Sequence, residues 1–94
     1  MPTVLRIGSI IFFFTSYDCL EPLHIHIVDG SKECKYWLRG GDEIILADNN
    51  GFSRNELLKL RRIVIENYQL IKKSWDEHCK NTTEKRYKKD QGKQ

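Results

Sequence analysis

The side chains able to do chemistry gather between residues 21 and 37. His24 and His26 stand one residue apart after Pro22, and Glu33, Lys35 and Trp37 follow at the same spacing beyond Asp29-Gly30. Strand residues alternate faces, so His24, His26 and Val28 share one side, while Leu23, Ile25 and Ile27 share the other. With Asp29-Gly30 as a two-residue hairpin loop, His26 faces Glu33, His24 faces Lys35, and Trp37 follows on the same side. Cys34, Tyr36 and Leu38 then join the leucine and isoleucines to make a core face. A four-residue loop would slide the partners by two and keep the faces. A three-residue loop would set Lys35 and Trp37 against the isoleucines, and the patterning argues against it.

Such a face admits four uses. Metal binding needs enough His, Cys, Asp or Glu ligands; the two histidines and Glu33 could supply three, but Lys35 across the ladder would repel a cation. Nucleophilic phosphate chemistry of the histidine-triad kind wants a further alternating histidine, and Val28 stands in its place. General acid–base cleavage of RNA needs no metal or cofactor: an imidazole moves the proton and a cation steadies the charged phosphorane. His24, His26 and Lys35 are the catalytic candidates for it, with Arg6, Phe13, Glu33 and Trp37 as binding residues. The fourth use is a polar and aromatic surface that docks a partner protein or a second copy. Residue types alone do not decide between enzyme and docking surface.

The elements that must position these residues read as strands followed by a helix. TVLRI and IIFFFTS flank Gly8-Ser9, a two-residue hairpin signal that sets Ile7 opposite Ile10 and Leu5 opposite Phe12. Arg6, Ile11 and Phe13 fall on the other face, that of the histidines. YDCLEP, 17 to 22, breaks the pattern with a proline that cannot join a central ladder. LHIHIV and ECKYWLR form the next pair, Gly40-Gly41 ends it, and EIILA makes a short fifth strand before a DNNG turn. Ser53 and Glu56 form a capping box. Leu57, Leu60, Val64, Tyr68, Ile71 and Trp75 then recur at helical spacing, which predicts one helix over 54–79 whose last turns overhang the sheet. The expected fold is α+β, an antiparallel sheet of four or five strands covered on one face by a long C-terminal helix.

Composition bounds the function. The chain has 94 residues, 39% hydrophobic and 31% charged, enough for one small domain with a thin core. Its longest apolar run, Ile10 to Phe14, is far below the ~20 residues that span a bilayer, and no leader precedes it. No membrane partner is expected. Cys19, Cys34 and Cys79 are isolated and odd in number, which points to free thiols in a reducing cytoplasm. The net charge of +3 comes from one end: residues 80–94 hold six Lys/Arg and two acids, whereas residues 1–79 hold ten and eleven. The domain is expected over 1–79, and 80–94 reads as a disordered basic tail, able to touch a phosphate backbone or simply to aid solubility.

Several stretches together resemble a known family. They are Met1-Pro2-Thr3, Pro22/His24/His26, Lys35/Trp37, Gly51-Phe52-Ser53 opening a helix, and Trp75 near its end. In these the chain resembles the small bacterial family catalogued as domain of unknown function four-one-six-zero, from Met1 to about His78. It departs at Pro22-Leu23, where members often carry two prolines, and at Cys19-Leu20, where polar residues are usual. The resemblance implies a compact bacterial cytoplasmic protein whose gene lies beside another small gene, as in toxin–antitoxin pairs. It supplies no catalytic residues. The expectation is one half of such a pair, cleaving or binding RNA through the His24/His26/Lys35 face. The rival is a non-enzymatic module whose His/Trp face docks the neighbouring gene's product or a second copy.

Overall fold

The computed structural model describes residues 3–15, 18–40 and 43–91, with side chains described there except at Asp18 and from residue 80 onward. Met1 and Pro2 of the family pattern, Gly41 of the expected strand stop, and the side chains of the basic tail therefore lie outside the described residues. Five strands form one antiparallel sheet in sequence order: β1 Thr3–Ile7, β2 Ile10–Phe13, β3 His24–Asp29, β4 Lys32–Leu38 and β5 Ile44–Asn50. A 3-10 turn, Asp18–Leu20, links β2 to β3, and the helices α1 Arg54–Glu66 and α2 Tyr68–Gln91 follow. The class is α+β.

One sheet face makes the core. Phe12, Phe14, Ile25, Ile27, Cys34, Tyr36, Leu38 and Ile44 are buried against Leu60 and Val64 of α1 and Ile71 of α2. The helical stripe behaves as its spacing predicts, with Leu57, Tyr68 and Trp75 partly buried against the same cluster. The Tyr36 hydroxyl donates to the Leu57 carbonyl at 2.8 Å, tying sheet to helix.

Two expectations on the elements need correction. β5 does not end at Ala47: its pairing with β4 continues through Asp48, Asn49 and Asn50. The Asn49 side chain then accepts from the Phe52 N–H and donates to the Phe52 carbonyl across the turn, and Gly51 completes it at φ 107°. The expected single helix is two, and the second runs to Gln91, past the expected end at 79. At Asn67 the side-chain amide donates to the Ile63 carbonyl at 2.8 Å, and the backbone leaves helical geometry at φ −110°, ψ 20°. A short amide that competes for the helix's own carbonyls is a recognised helix breaker.

The start of α1 is built as expected. Ser53 Oγ accepts from the Glu56 N–H while Glu56 Oε1 accepts from the Ser53 N–H at 2.8 Å. Lys32 of β4 adds a 2.7 Å bond to the other carboxylate oxygen. The lysine first, then the Ser53 backbone, hold the Glu56 carboxyl down to about 2.

Candidate functional site

The hairpin between β3 and β4 turns at Gly30-Ser31, one residue later than expected, so Asp29 pairs with Lys32. Gly30 takes φ 63° and Ser31 does not have positive φ. That suits a Gly-first hairpin turn, whereas Asp-Gly would need positive φ at both positions. All partners therefore slide by two while the faces are kept. His26 faces Lys35, His24 faces Trp37, and Glu33 faces Val28, correcting the expected pairs of His26 with Glu33 and His24 with Lys35.

Following the registers across the sheet gives rows of neighbours on the face turned from α1. Phe13, His26, Lys35 and Asp48 form one row; His24, Trp37 and Ile45 form the next. Arg6, Ile11, Val28, Glu33 and Asn50 form a third, on the far side of the Phe13 row. Five of the seven expected site residues thus come together, and Arg6 and Glu33 stand apart from them, both exposed.

His24 is the centre of the cluster and is fully buried, at 0% exposure. Its ring meets three others edge-on: His26 at 5.0 Å, Trp37 at 5.2 Å and Trp75 of α2 at 5.3 Å between centroids. Nδ1 lies 2.8 Å from the Pro22 carbonyl; a carbonyl only accepts, so Nδ1 carries the hydrogen. Nε2 is directed toward Glu21, whose Oε1 is 3.8 Å away. The face expected to be open is therefore closed at this end. The overhang of α2 brings Trp75 over His24, and the 18–22 segment brings Glu21 and Pro22 beside it.

The outer residues are held as well. His26 is half-buried and stacks on Phe13 at 5.3 Å with 19° between ring planes, and Phe13 is itself only 6% exposed. Lys35 Nζ donates to Glu21 Oε1 at 2.9 Å and sits 4.3 Å above the Trp37 ring. Each of those contacts is worth at most about 1 kcal/mol at a surface site, but together they fix the ammonium. Beside Trp37 a cleft of about 570 Å³ is lined by Pro22, Leu23, Leu38 and Arg39. That size lies within the range of small-ligand sites.

Residue spacing did not disclose Glu21 or the reach of Trp75. Glu21 adjoins Pro22 in a loop without periodicity. Trp75 belongs to the helical stripe and the family pattern, neither of which places it over His24. The cysteines also differ from expectation: Cys19 and Cys79 form a disulfide, and Cys34 alone is free. The two lie 60 residues apart with no motif spacing, so only the folded chain shows that they meet. Cys34 is buried in the core, where loss of solvent pushes its thiol up to about 12, leaving it inert as a nucleophile. Among the described residues no group of three or more His, Cys, Asp or Glu is placed to hold a metal ion. No described helix is long and apolar enough to cross a membrane.

Residues 9–76 match the family model for Domain of unknown function (DUF4160), well over half of the chain. The chain belongs to this family. The matched span holds the whole Pro22/His24/His26 segment, Lys35, Trp37, the Ser53 cap and Trp75, while Arg6 and Cys79 fall outside it. No curated protein and no solved structure matches the chain. For this member of DUF4160 the site must therefore be judged on its own geometry.

Proposed function

We propose that this DUF4160 protein is the non-enzymatic half of a toxin–antitoxin-like pair, docking the product of an adjacent small gene through the His26–Lys35–Trp37 strip and the cleft beside it. The observation that carries this reading is the burial of His24. A general acid or base must come within about 3 Å of the proton it moves, and an imidazole at 0% exposure under two tryptophans meets no substrate. Lys35 is likewise held by Glu21 instead of standing open for a phosphate. A half-buried tryptophan beside a cleft is the usual kind of anchor of a protein interface. A bacterial cytoplasmic setting belongs to the same proposal and rests on the family resemblance alone, because Cys19 and Cys79 are paired and the three free thiols that pointed to it are not present.

A second reading keeps the RNA chemistry in reduced form. His26 and Lys35 are direct cross-strand partners, which supports proton transfer by His26 with Lys35 as the cation and leaves His24 as their support. One experiment separates the two. Purified protein is mixed with the neighbouring gene's product and, separately, with RNA at low salt. Under the docking reading Trp37→Ala weakens the protein complex by about 30-fold or more, the effect of losing an interface anchor, and no RNA is cut. Under the second, RNA is cut and His26→Ala abolishes cutting. Self-association lost in Trp37→Ala, with no affinity for the neighbour, would transfer the docking surface to a second copy.

A further inference from the structure

The Cys19–Cys79 bond joins the two segments that enclose His24. Cys19 lies in the 3-10 turn, two residues before Glu21 and three before Pro22, which contact the His24 ring. Cys79 lies one turn beyond Trp75 on α2, next to His78. The Trp75 ring packs against both His24 and Phe14, and His78 stacks on Phe14 and reaches the Thr15 carbonyl at 3.2 Å.

Apolar anchoring fades where the bond is made. Among the described side chains of α2, Ile71 is the last that is fully buried, and after half-buried Trp75 come exposed Asp76 and Glu77. Leu20, the apolar residue of the 3-10 turn, is 66% exposed and gives that turn no foothold in the core. The noncovalent contacts of the segment include the Glu21–Lys35 ion pair, whose carboxylate is half exposed. Such segments open locally at small free-energy cost unless something fastens them.

We propose that the disulfide is a redox latch on this site: oxidised, it holds the 18–22 segment and the end of α2 closed over His24 and Trp37, and reduced, it lets them part. The reductant is a dithiol. Its thiolate attacks one cysteine sulfur, breaking the S–S bond, releasing the other cysteine as a thiolate and forming a mixed disulfide; its second thiol then attacks the reductant's own sulfur in that bond, releasing the first cysteine, and the reductant leaves as its cyclic disulfide. Two electrons and two protons pass to the protein, which ends with free thiols at 19 and 79. Opening bares Trp75 and widens access to Trp37, which already lines the cleft. Control of partner binding by the latch rests on the docking reading above; the opening itself does not.

The chain's two tryptophans are Trp37 and Trp75, so intrinsic fluorescence reports this site without a label. Oxidised protein in denaturant should titrate as one thiol, Cys34, and dithiothreitol-treated protein as three. On reduction of the folded protein, acrylamide quenching should rise by about twofold or more, with the far-ultraviolet circular dichroism kept and the change reversed by reoxidation. The variant carrying Cys19→Ser and Cys79→Ser should quench as the reduced protein does. Three thiols before any reduction would overturn the proposal, as would unchanged quenching with all three thiols free. Loss of the circular dichroism on reduction would equally overturn it, showing a staple for the whole fold. Affinity for the neighbouring gene's product should differ by about tenfold or more between the two forms. Opening without binding in either form would sink the docking reading and leave the latch standing.

Discussion

Replacing His24 with alanine should destabilise the fold severely before it tests any chemistry. The ring is fully enclosed and touches His26, Trp37 and Trp75. Removing a buried aromatic ring typically costs about 3–5 kcal/mol, and an imidazole, smaller than a phenyl, falls at about 3. Loss of the bond to the Pro22 carbonyl adds about 1 kcal/mol. His26 is half-buried with one stacked neighbour in Phe13, so its truncation should cost only about 1 kcal/mol. The expected contrast is about 4 against about 1 kcal/mol, out of a total stability of about 5–15. Thermal unfolding followed by circular dichroism should show His24→Ala lower by roughly 15–25 °C, and His26→Ala by roughly 5 °C. Urea titration gives the same ordering if the slopes match. If His24→Ala stays within about 0.5 kcal/mol of the parent, the enclosure is not what holds the histidine, and its burial says nothing against a catalytic role.

Three further outcomes follow from other contacts. The Glu56 carboxyl is held down to about 2 from 4.5 by Lys32 and the Ser53 backbone, so it stabilises the fold above pH 4.5 and loses that contribution as pH falls toward 2; acid unfolding of Glu56→Gln should lack this part of the pH dependence. Tyr36→Phe removes the hydroxyl that donates to the Leu57 carbonyl and should cost about 1 kcal/mol in urea titration with no change of fold. The disulfide closes a separation of 60 residues, for which chain entropy gives about 4 kcal/mol. Reduced protein should therefore melt about 15 °C or more below oxidised protein, and an equal melting temperature would contradict the pairing.

Much of the fold was legible because periodicity is written in single residues. The alternation of LHIHIV and ECKYWLR placed Ile25, Ile27, Cys34 and Tyr36 in the core, and Leu60, Val64 and Ile71 lie under that face as their spacing predicts. The register was not legible because two turn signals overlap in Asp29-Gly30-Ser31. Gly30-Ser31 repeats the dipeptide that makes the first hairpin at Gly8-Ser9, with nearly the same φ at its glycine. Weighing that repetition over the Asp-Gly preference would have given His26 its true partner, Lys35. The helix break at Asn67 and the long reach of β5 depend on side-chain amides that can bond either locally or to solvent, and composition does not choose between them. Closure of the site was hidden for another reason. It joins residues 18–22 to residues 75–79, and no local pattern encodes a contact across so much chain.

That closure changes what Pro22-x-His24-x-His26 means. Two histidines at strand spacing suggest a reactive pair, yet a buried polar ring must find hydrogen-bond partners, and most do. Here the partner comes from the motif itself. Pro22 has no N–H to offer a ladder, but its carbonyl accepts from His24 two residues later, which draws the chain into the start of β3. An aliphatic side chain could fill the space between Trp37, Trp75 and His26 but would leave that carbonyl without its donor. A phenyl ring would fill it with the same defect. Imidazole is the ring that packs edge-on against two indoles while donating from one nitrogen to the Pro22 carbonyl. The spacing thus describes a structural device at the start of β3, with His26, two residues on, half-buried against Phe13.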